Sequence, residues 1–393
     1  MHILVAPDSY KGSLSAKEAA EAMTRGIRAV FPAARVTKLP ISDGGEGLVQ
    51  TLVEATGGDY RHTVVSGPSM TPVTARWGIL GDGDTAVVEM AAASGLPLVP
   101  AAGRDPGRAS SLGTGQILKE VLEARIPRLI LGIGGSATND AGAGAAAALG
   151  VRFLDAEGAP LPQGGAALAR LERIDISGLD PRLADLKILV ACDVENPLCG
   201  PSGATAVFGP QKGVAPDQIP VLDSALRRFS DIAAQTTGRS VADIPGAGAA
   251  GGLGAALLLF SSAVLRPGIE VALEAVNFAR HLESADLVLT GEGLTDGQTV
   301  CGKAPLGVAK AAQAAGKPVI CLSGGLGLGY QDIFLHGVSA AMSIPPRCMS
   351  LEDCIAAAAP LLEEAASRLC RILKTGLEMA ETPDRHAAQS LLG

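Results

Sequence analysis

Aromatic residues make up only 3% of the 393 positions, with a single Trp and three Tyr. Ala, Val, Leu and Ile must therefore do the packing. No aromatic platform interleaves with basic residues, no dense Lys/Arg stripe is present, and the net charge is −8. Nucleic acid is accordingly not expected as a partner, and an anionic substrate would need a few local cations inside a site. The seven cysteines (192, 199, 301, 321, 348, 354 and 370) are odd in number and form no CxxC pair. That argues against a zinc site or a disulfide framework and fits a reducing cytosol. Long apolar runs are missing too. The longest helical one, Gly254–Leu265, carries two serines and is too short to span a bilayer. The opening residues Met1–Asp8 turn polar too soon for a signal peptide. A cytoplasmic protein with no membrane partner is expected.

What the chain has in excess is glycine: 50 residues, about 13% against a usual ~7%. They fall in discrete loops beside apolar runs and form no repeat. With 47% apolar residues and a length beyond one typical core, two α/β domains are expected. Residues 2–6 read as a buried strand, and Ser15 with Glu18 forms a capping box that opens a helix to about Phe31. Arg35–Ile41 reads as a second strand, followed by a loop and a helix to about Ala55. From about 60 the texture changes to short strands with Gly/Asp turns, which suggests antiparallel pairing. Near 286 the first rhythm returns, and one Ala/Leu/Glu helix is predicted over about 351–374. The expected fold is α/β: a discontinuous parallel-sheet domain from both termini (1–60 plus 285–393), with a second α/β domain (61–284) inserted.

Apolar strands exit repeatedly into acidic or glycine-rich loops, which a doubly wound sheet gathers along one edge of its domain. The exits are Asp8, Asp43 with Glu46, Asp193, and Glu292 with Asp296. Carboxylates there suit Mg²⁺ or the proton of an attacking hydroxyl, although an Asp after a strand is commonly a turn residue or cap. The run Gly132-Ile-Gly134-Gly135-Ser136-Ala-Thr138-Asn139-Asp140 follows Leu129–Leu131 and precedes the Ala-rich stretch 141–149. Strand, glycine turn and helix point backbone N–H groups and a positive helix end at an anion. Lys11 and Lys212 sit among these loops and suit a carboxylate or phosphate. Two motif matches fail on context. Gly297–Ala304 lacks the final Ser/Thr of a Walker A loop and lies too far beyond its strand, although Lys303 could still meet a phosphate. Gly246–Gly251 satisfies GxGxxG without a preceding buried strand, and Gly248–Gly254 reads instead as letting a helix or a ligand approach the backbone closely.

Together these segments resemble the bacterial glycerate kinase family. The resemblance rests on Ala6–Ser13, Asp43–Gly47, Gly132–Asp140, Asp193–Pro197, Phe208–Gly213, Gly246–Gly254 and Thr290–Pro305, in family order from residue 3 to about 325. It implies a two-domain kinase with its active site in the cleft between domains, ATP and Mg²⁺ as cosubstrates, and D-glycerate as acceptor. The usual product of the class is 2-phosphoglycerate. A kinase making 3-phosphoglycerate or acting on a related hydroxy acid is the first alternative, and a non-catalytic carboxylate or nucleotide sensor is a weaker one. Three positions depart from the family pattern: Leu294 and Leu112 stand where bases are common, and Gln116 where Glu is frequent.

Under that resemblance Asp193, Lys11 and Lys212 are the catalytic candidates, with Asp193 nearest the reacting hydroxyl. Asp8, Ser9, Asp43, Gly44, Gly45, Glu46 and Asn196 are assigned to substrate. Gly134, Gly135, Ser136, Thr138, Asn139, Asp140, Glu292, Asp296, Gln298 and Lys303 are assigned to ATP, and Asp8, Asp43 and Asp193 to Mg²⁺. Oligomeric state is left open, a homodimer being one option.

Overall fold

The structure, a computed structural model, describes residues 1–380 except Glu46, Gln298, Val300 and Cys301. In chain order its strands begin with β1 (His2–Val5), β2 (Arg35–Lys38), β3 (Asp59–Ser66), β4 (Pro72–Ile79), β5 (Thr85–Glu89) and β6 (Arg128–Gly132). Next come β7 (Arg152–Leu154), β8 (Arg173–Asp175), β9 (Lys187–Ala191) and β10 (Val264–Arg266). The last are β11 (Leu287–Thr290), β12 (Leu294–Thr295), β13 (Val319–Ser323), β14 (Gly325–Leu326) and β15 (Ala340–Ser343). Two compact units result: Met1–Asp43 with Leu273–Gly393, and Gly44–Ala272. The helix Leu48–Thr56 packs on β4 and β5 and so lies in the second unit, although sequence rhythm groups it with the first.

In the first unit all five strands of the main sheet run parallel, in the order β15-β13-β11-β1-β2. From β1 the chain winds to β2 on one side, whereas β11, β13 and β15 build outward on the other. The carboxyl ends of β1 and β11 therefore flank a topological switch point, where open α/β sheets place their ligands. The helix Ala16–Val30 starts with the expected box: Ser15 accepts from the Glu18 N–H, and the Glu18 carboxylate accepts from the Ser15 N–H at 2.9 Å. Its apolar face joins Ile3, Val5, Leu287 and Leu289 in one core with the helix Ala358–Ala380. Gly26 permits that helix pair, because a Cβ there would lie 2.2 Å from the Glu363 carbonyl oxygen. The single helix expected over 351–374 is instead Leu351–Ala356 followed by Ala358–Ala380. Pro360 explains the break: it has no N–H to continue a helix through Ala357 and is tolerated only in a first turn.

The sheet of the second unit runs β10-β9-β6-β5-β4-β3. The β3–β4 hairpin and the β4–β5 pair are antiparallel, as the turn-rich texture predicts, whereas β5, β6, β9 and β10 are parallel. Glu89, Gly132 and Ala191 stand side by side in the register, so the loops after β5, β6 and β9 leave the same edge. Among the described residues no helix is long and apolar enough to cross a membrane.

Candidate active site

In the first unit the switch point opens into a pocket of about 710 Å³ lined by Asp8, Ser9, Lys11, Asp43, Glu292 and Lys303. Asp8 is buried at the end of β1. Burial, and next the neighbouring Asp43 carboxylate, push its pKa up to about 7, although the Ser9 N–H donates to it at 2.6 Å. Glu292, after β11, is also buried, and burial raises its pKa. Thr299 and Thr295 donate hydroxyl hydrogen bonds to its Oε1 at 2.8 and 3.1 Å, which orients the carboxylate. Lys303 holds its Nζ 3.7 Å from Glu292 and 3.8 Å from Asp296. Lys303 thus stands in a charge cluster with two carboxylates. Leu294 is half exposed in the same pocket, so the positive charge there comes from Lys11 and Lys303. The remaining wall is apolar, with Ile344, Pro345, Leu351 and Ile355.

Among the described residues no three His, Cys, Asp or Glu side chains stand close enough to hold a metal ion by themselves. Mg²⁺ asks for less: one or two carboxylates, with phosphate oxygens and water completing six ligands. A buried Asp8 whose proton affinity is raised by burial and by the neighbouring Asp43 carboxylate fits a divalent cation that arrives with its phosphates.

In the second unit the loops after β6 and β9 line a pocket of about 370 Å³ with Gly44, Gly45, Gly134, Gly135, Ser136, Asp193 and Lys212. Lys212 ends the helix Ala204–Lys212 and is buried, and its Nζ donates to Ser136 Oγ at 2.7 Å and to the Thr138 carbonyl at 2.8 Å. Burial pulls its pKa down to about 7, while the Asp140 charge works the other way. Asp193 is exposed at the pocket and accepts from the Gly268 N–H at 2.8 Å, which fixes its carboxylate. Glu89 steadies the floor by accepting from the N–H groups of Gly47 and Val49.

The glycine loop divides into two parts. Gly134 and Gly135 are exposed and Ser136 lines the pocket, whereas Thr138, Asn139 and Asp140 are buried. Asn139 pairs with Thr205 Oγ1 at 3.0 Å. Asp140 accepts from the N–H groups of Ser111, Gly142 and Gly144 and from the Ser111 hydroxyl. The Ala143 N–H goes to the Asp140 carbonyl and the Ala145 N–H to Ser111 Oγ. Every donor at this helix start is therefore spoken for, and the anion at its positive end is the protein's own Asp140. The helix itself is short, Ala143–Ala148. The GxGxxG look-alike is a close backbone approach: Gly251 has φ +67°, and a Cβ on it would sit 2.0 Å from the Thr138 carbonyl oxygen.

Of the other expected site residues, Asn196 donates to the Ser202 carbonyl at 2.8 Å and braces the β9 exit. Glu46 and Gln298 lie outside the described residues. Gln116 accepts from the Ser66 N–H at 2.7 Å, a backbone task that Glu would perform equally. Thr295 and Thr299 lie within the Thr290–Pro305 motif but are not singled out by it, Glu89 carries no motif signal, and only the fold shows what they position.

Comparison with known proteins agrees with this architecture. A family model described as "Glycerate kinase family" matches residues 3–374. The Bacillus subtilis glycerate kinase is 52% identical over 379 residues, covering 96% of this chain and 99% of that protein. The Escherichia coli K12 glycerate 2-kinase is 46% identical, covering 97% and 100%. A crystal structure of a candidate glycerate kinase 2 from Salmonella typhimurium LT2 superposes with a TM-score of 0.89 at 48% identity, covering 96% and 99%.

Proposed function

Since the chain belongs to the glycerate kinase family, we propose that it moves the γ-phosphoryl group of ATP to the 2-hydroxyl of D-glycerate, yielding 2-phosphoglycerate and ADP. The observation that carries this reading is the pairing of a buried Lys212 with an exposed, anchored Asp193 in one small pocket. Phosphoryl transfer demands positioning and charge neutralisation more than covalent chemistry, and these two groups supply both. Asp193 accepts the proton of the attacking hydroxyl. Lys212 offsets negative charge gathering on the acceptor. Gly134, Gly135 and Ser136 form the wall against which the acceptor is held.

The pocket of the first unit takes the nucleotide in this reading. Of its carboxylates, Asp8 and Asp43 would hold Mg²⁺, which when bound neutralises the phosphate oxygens, and Glu292 belongs to the same acidic wall. Lys11 and Lys303 meet the remaining phosphate charge, and the wall of Ile344, Pro345 and Leu351 gives the base an apolar surface. Thr138, Asn139 and Asp140 serve as the frame of the glycine loop. The described cysteines are all free, which supports a reducing, cytoplasmic setting. The test is coupled ADP release over a panel of hydroxy acids. Turnover that depends on D-glycerate and exceeds that with lactate and tartronate supports the reading; ADP release indifferent to the acceptor defeats it.

A further inference from the structure

A second cavity, of about 610 Å³, lies in the second unit, and Lys212 lines both it and the Asp193 pocket. Its wall is rich in donors. Arg104 spans to the Gln211 carbonyl with Nη1 at 3.2 Å, while its Nε is buried without any acceptor. A buried donor left without an acceptor is unfavourable, which marks Arg104 as the side chain at this cavity whose partners are incomplete. Arg108 is exposed at the same cavity. Gln163 accepts from the Ser110 hydroxyl at 2.6 Å with its oxygen, which leaves its NH₂ as the end available to a ligand. Asp105 is the opposing charge, but its carboxylate accepts from the Gly107 and Arg108 N–H groups and so serves its own turn.

We propose that this cavity is the subsite for the carboxylate of the acceptor acid, with Arg104 as its principal anchor and Arg108 and Lys212 beside it. The proposal rests on the kinase reading. In an α-hydroxy acid the carboxylate sits one carbon from the hydroxyl that reacts. A ligand whose hydroxyl reaches Asp193 past Lys212 therefore presents its carboxylate to the neighbouring cavity. The planar guanidinium, held by Gln211 at one edge, offers its other donors to a carboxylate in a fork that an ammonium cannot copy. Neutral alcohols of the same size offer these donors only single uncharged acceptors, so the subsite selects hydroxy acids over polyols.

The test compares wild type, R104K and R108Q by steady-state kinetics in ATP and D-glycerate separately, and by calorimetric titration of D-glycerate into the ATP-free protein. R104K is expected to raise KM for glycerate about tenfold or more, with KM for ATP within about twofold, as loss of a bidentate contact requires. R108Q, at an exposed position, raises KM for glycerate less and keeps the test open if R104K does not fold. The neutral methyl ester of glycerate should bind wild type and R104K alike. If KM for ATP rises while that for glycerate holds, the cavity belongs to the polyphosphate and the proposal is overturned. Equal glycerate affinity in all three proteins overturns it as well. If wild type binds glycerate but does not phosphorylate it, the kinase reading falls, and the calorimetric comparison still decides the subsite.

Discussion

Replacing Lys212 with Met separates what this residue does for turnover from what it costs the fold. Met keeps the length and apolar stem of Lys but removes the Nζ that donates to Ser136 and to the Thr138 carbonyl. Burial has moved the Lys212 pKa from 10.5 to about 7. At about 1.36 kcal/mol per unit, the charged form is held at a cost on the order of 5 kcal/mol relative to the unfolded chain. Two acceptors left bare in the variant cost roughly 1–3 kcal/mol each, which offsets most of that gain. Near pH 7 the two proteins should therefore unfold at similar urea concentrations. The contrast appears as pH rises. Between about 7 and 10.5 the unfolded chain keeps the lysine proton that the folded one has lost, so the folded state gains stability with increasing pH. Wild type should gain about 1.4 kcal/mol per pH unit relative to K212M across this window. Urea titrations of both proteins at pH 7 and pH 9 measure it, and kcat/KM for glycerate should fall by about 10²-fold or more in the variant. A stability difference that does not change between pH 7 and pH 9 would refute the buried, proton-poor lysine on which this reasoning stands.

Three further outcomes follow from individual contacts. Asp193→Asn keeps the shape of the side chain but cannot take a proton, so kcat should drop about 10²–10⁴-fold with folding unchanged by circular dichroism; near wild-type turnover would remove Asp193 from its role. Asp140→Ala leaves the donors of Ser111, Gly142 and Gly144 unpaired, and urea unfolding should show a loss of roughly 2–5 kcal/mol. A fully stable D140A with weakened ATP binding would instead make Asp140 a ligand residue. Gly251→Ala forces a Cβ to within 2.0 Å of the Thr138 oxygen at a left-handed φ, so the variant should be recovered insoluble or melt at least several degrees lower; an unchanged melting temperature would contradict the packing of these two loops.

Much of the architecture was readable from local signals, since the residues that set it act on their neighbours. Ser15 and Glu18 declare a helix start within four positions, and the apolar strands before Asp8, Gly132, Asp193 and Glu292 declare a sheet edge. Direction of burial is another matter. Thr138, Asn139 and Asp140 look like ligand donors because small polar groups after a glycine turn serve both ligands and helix starts. The helix Ala143–Ala148 needed acceptors of its own, and Ser111, 34 residues before Ala145, completes the arrangement. Arg104 is the converse case. It sits in an unremarkable turn, and only the fold brings it to Gln211, 107 positions away. Pro360 did carry a local signal for the helix break at Ala357, but the Ala/Leu/Glu pattern around it masked that signal.

Phosphorus NMR of the complete reaction tests the central claim most directly. With D-glycerate, ATP and Mg²⁺ the spectrum should show ADP growing in step with a single new monoester resonance, that of 2-phosphoglycerate. A 3-phosphoglycerate resonance would contradict the position of transfer, and inorganic phosphate as the sole product would contradict a glycerate kinase altogether.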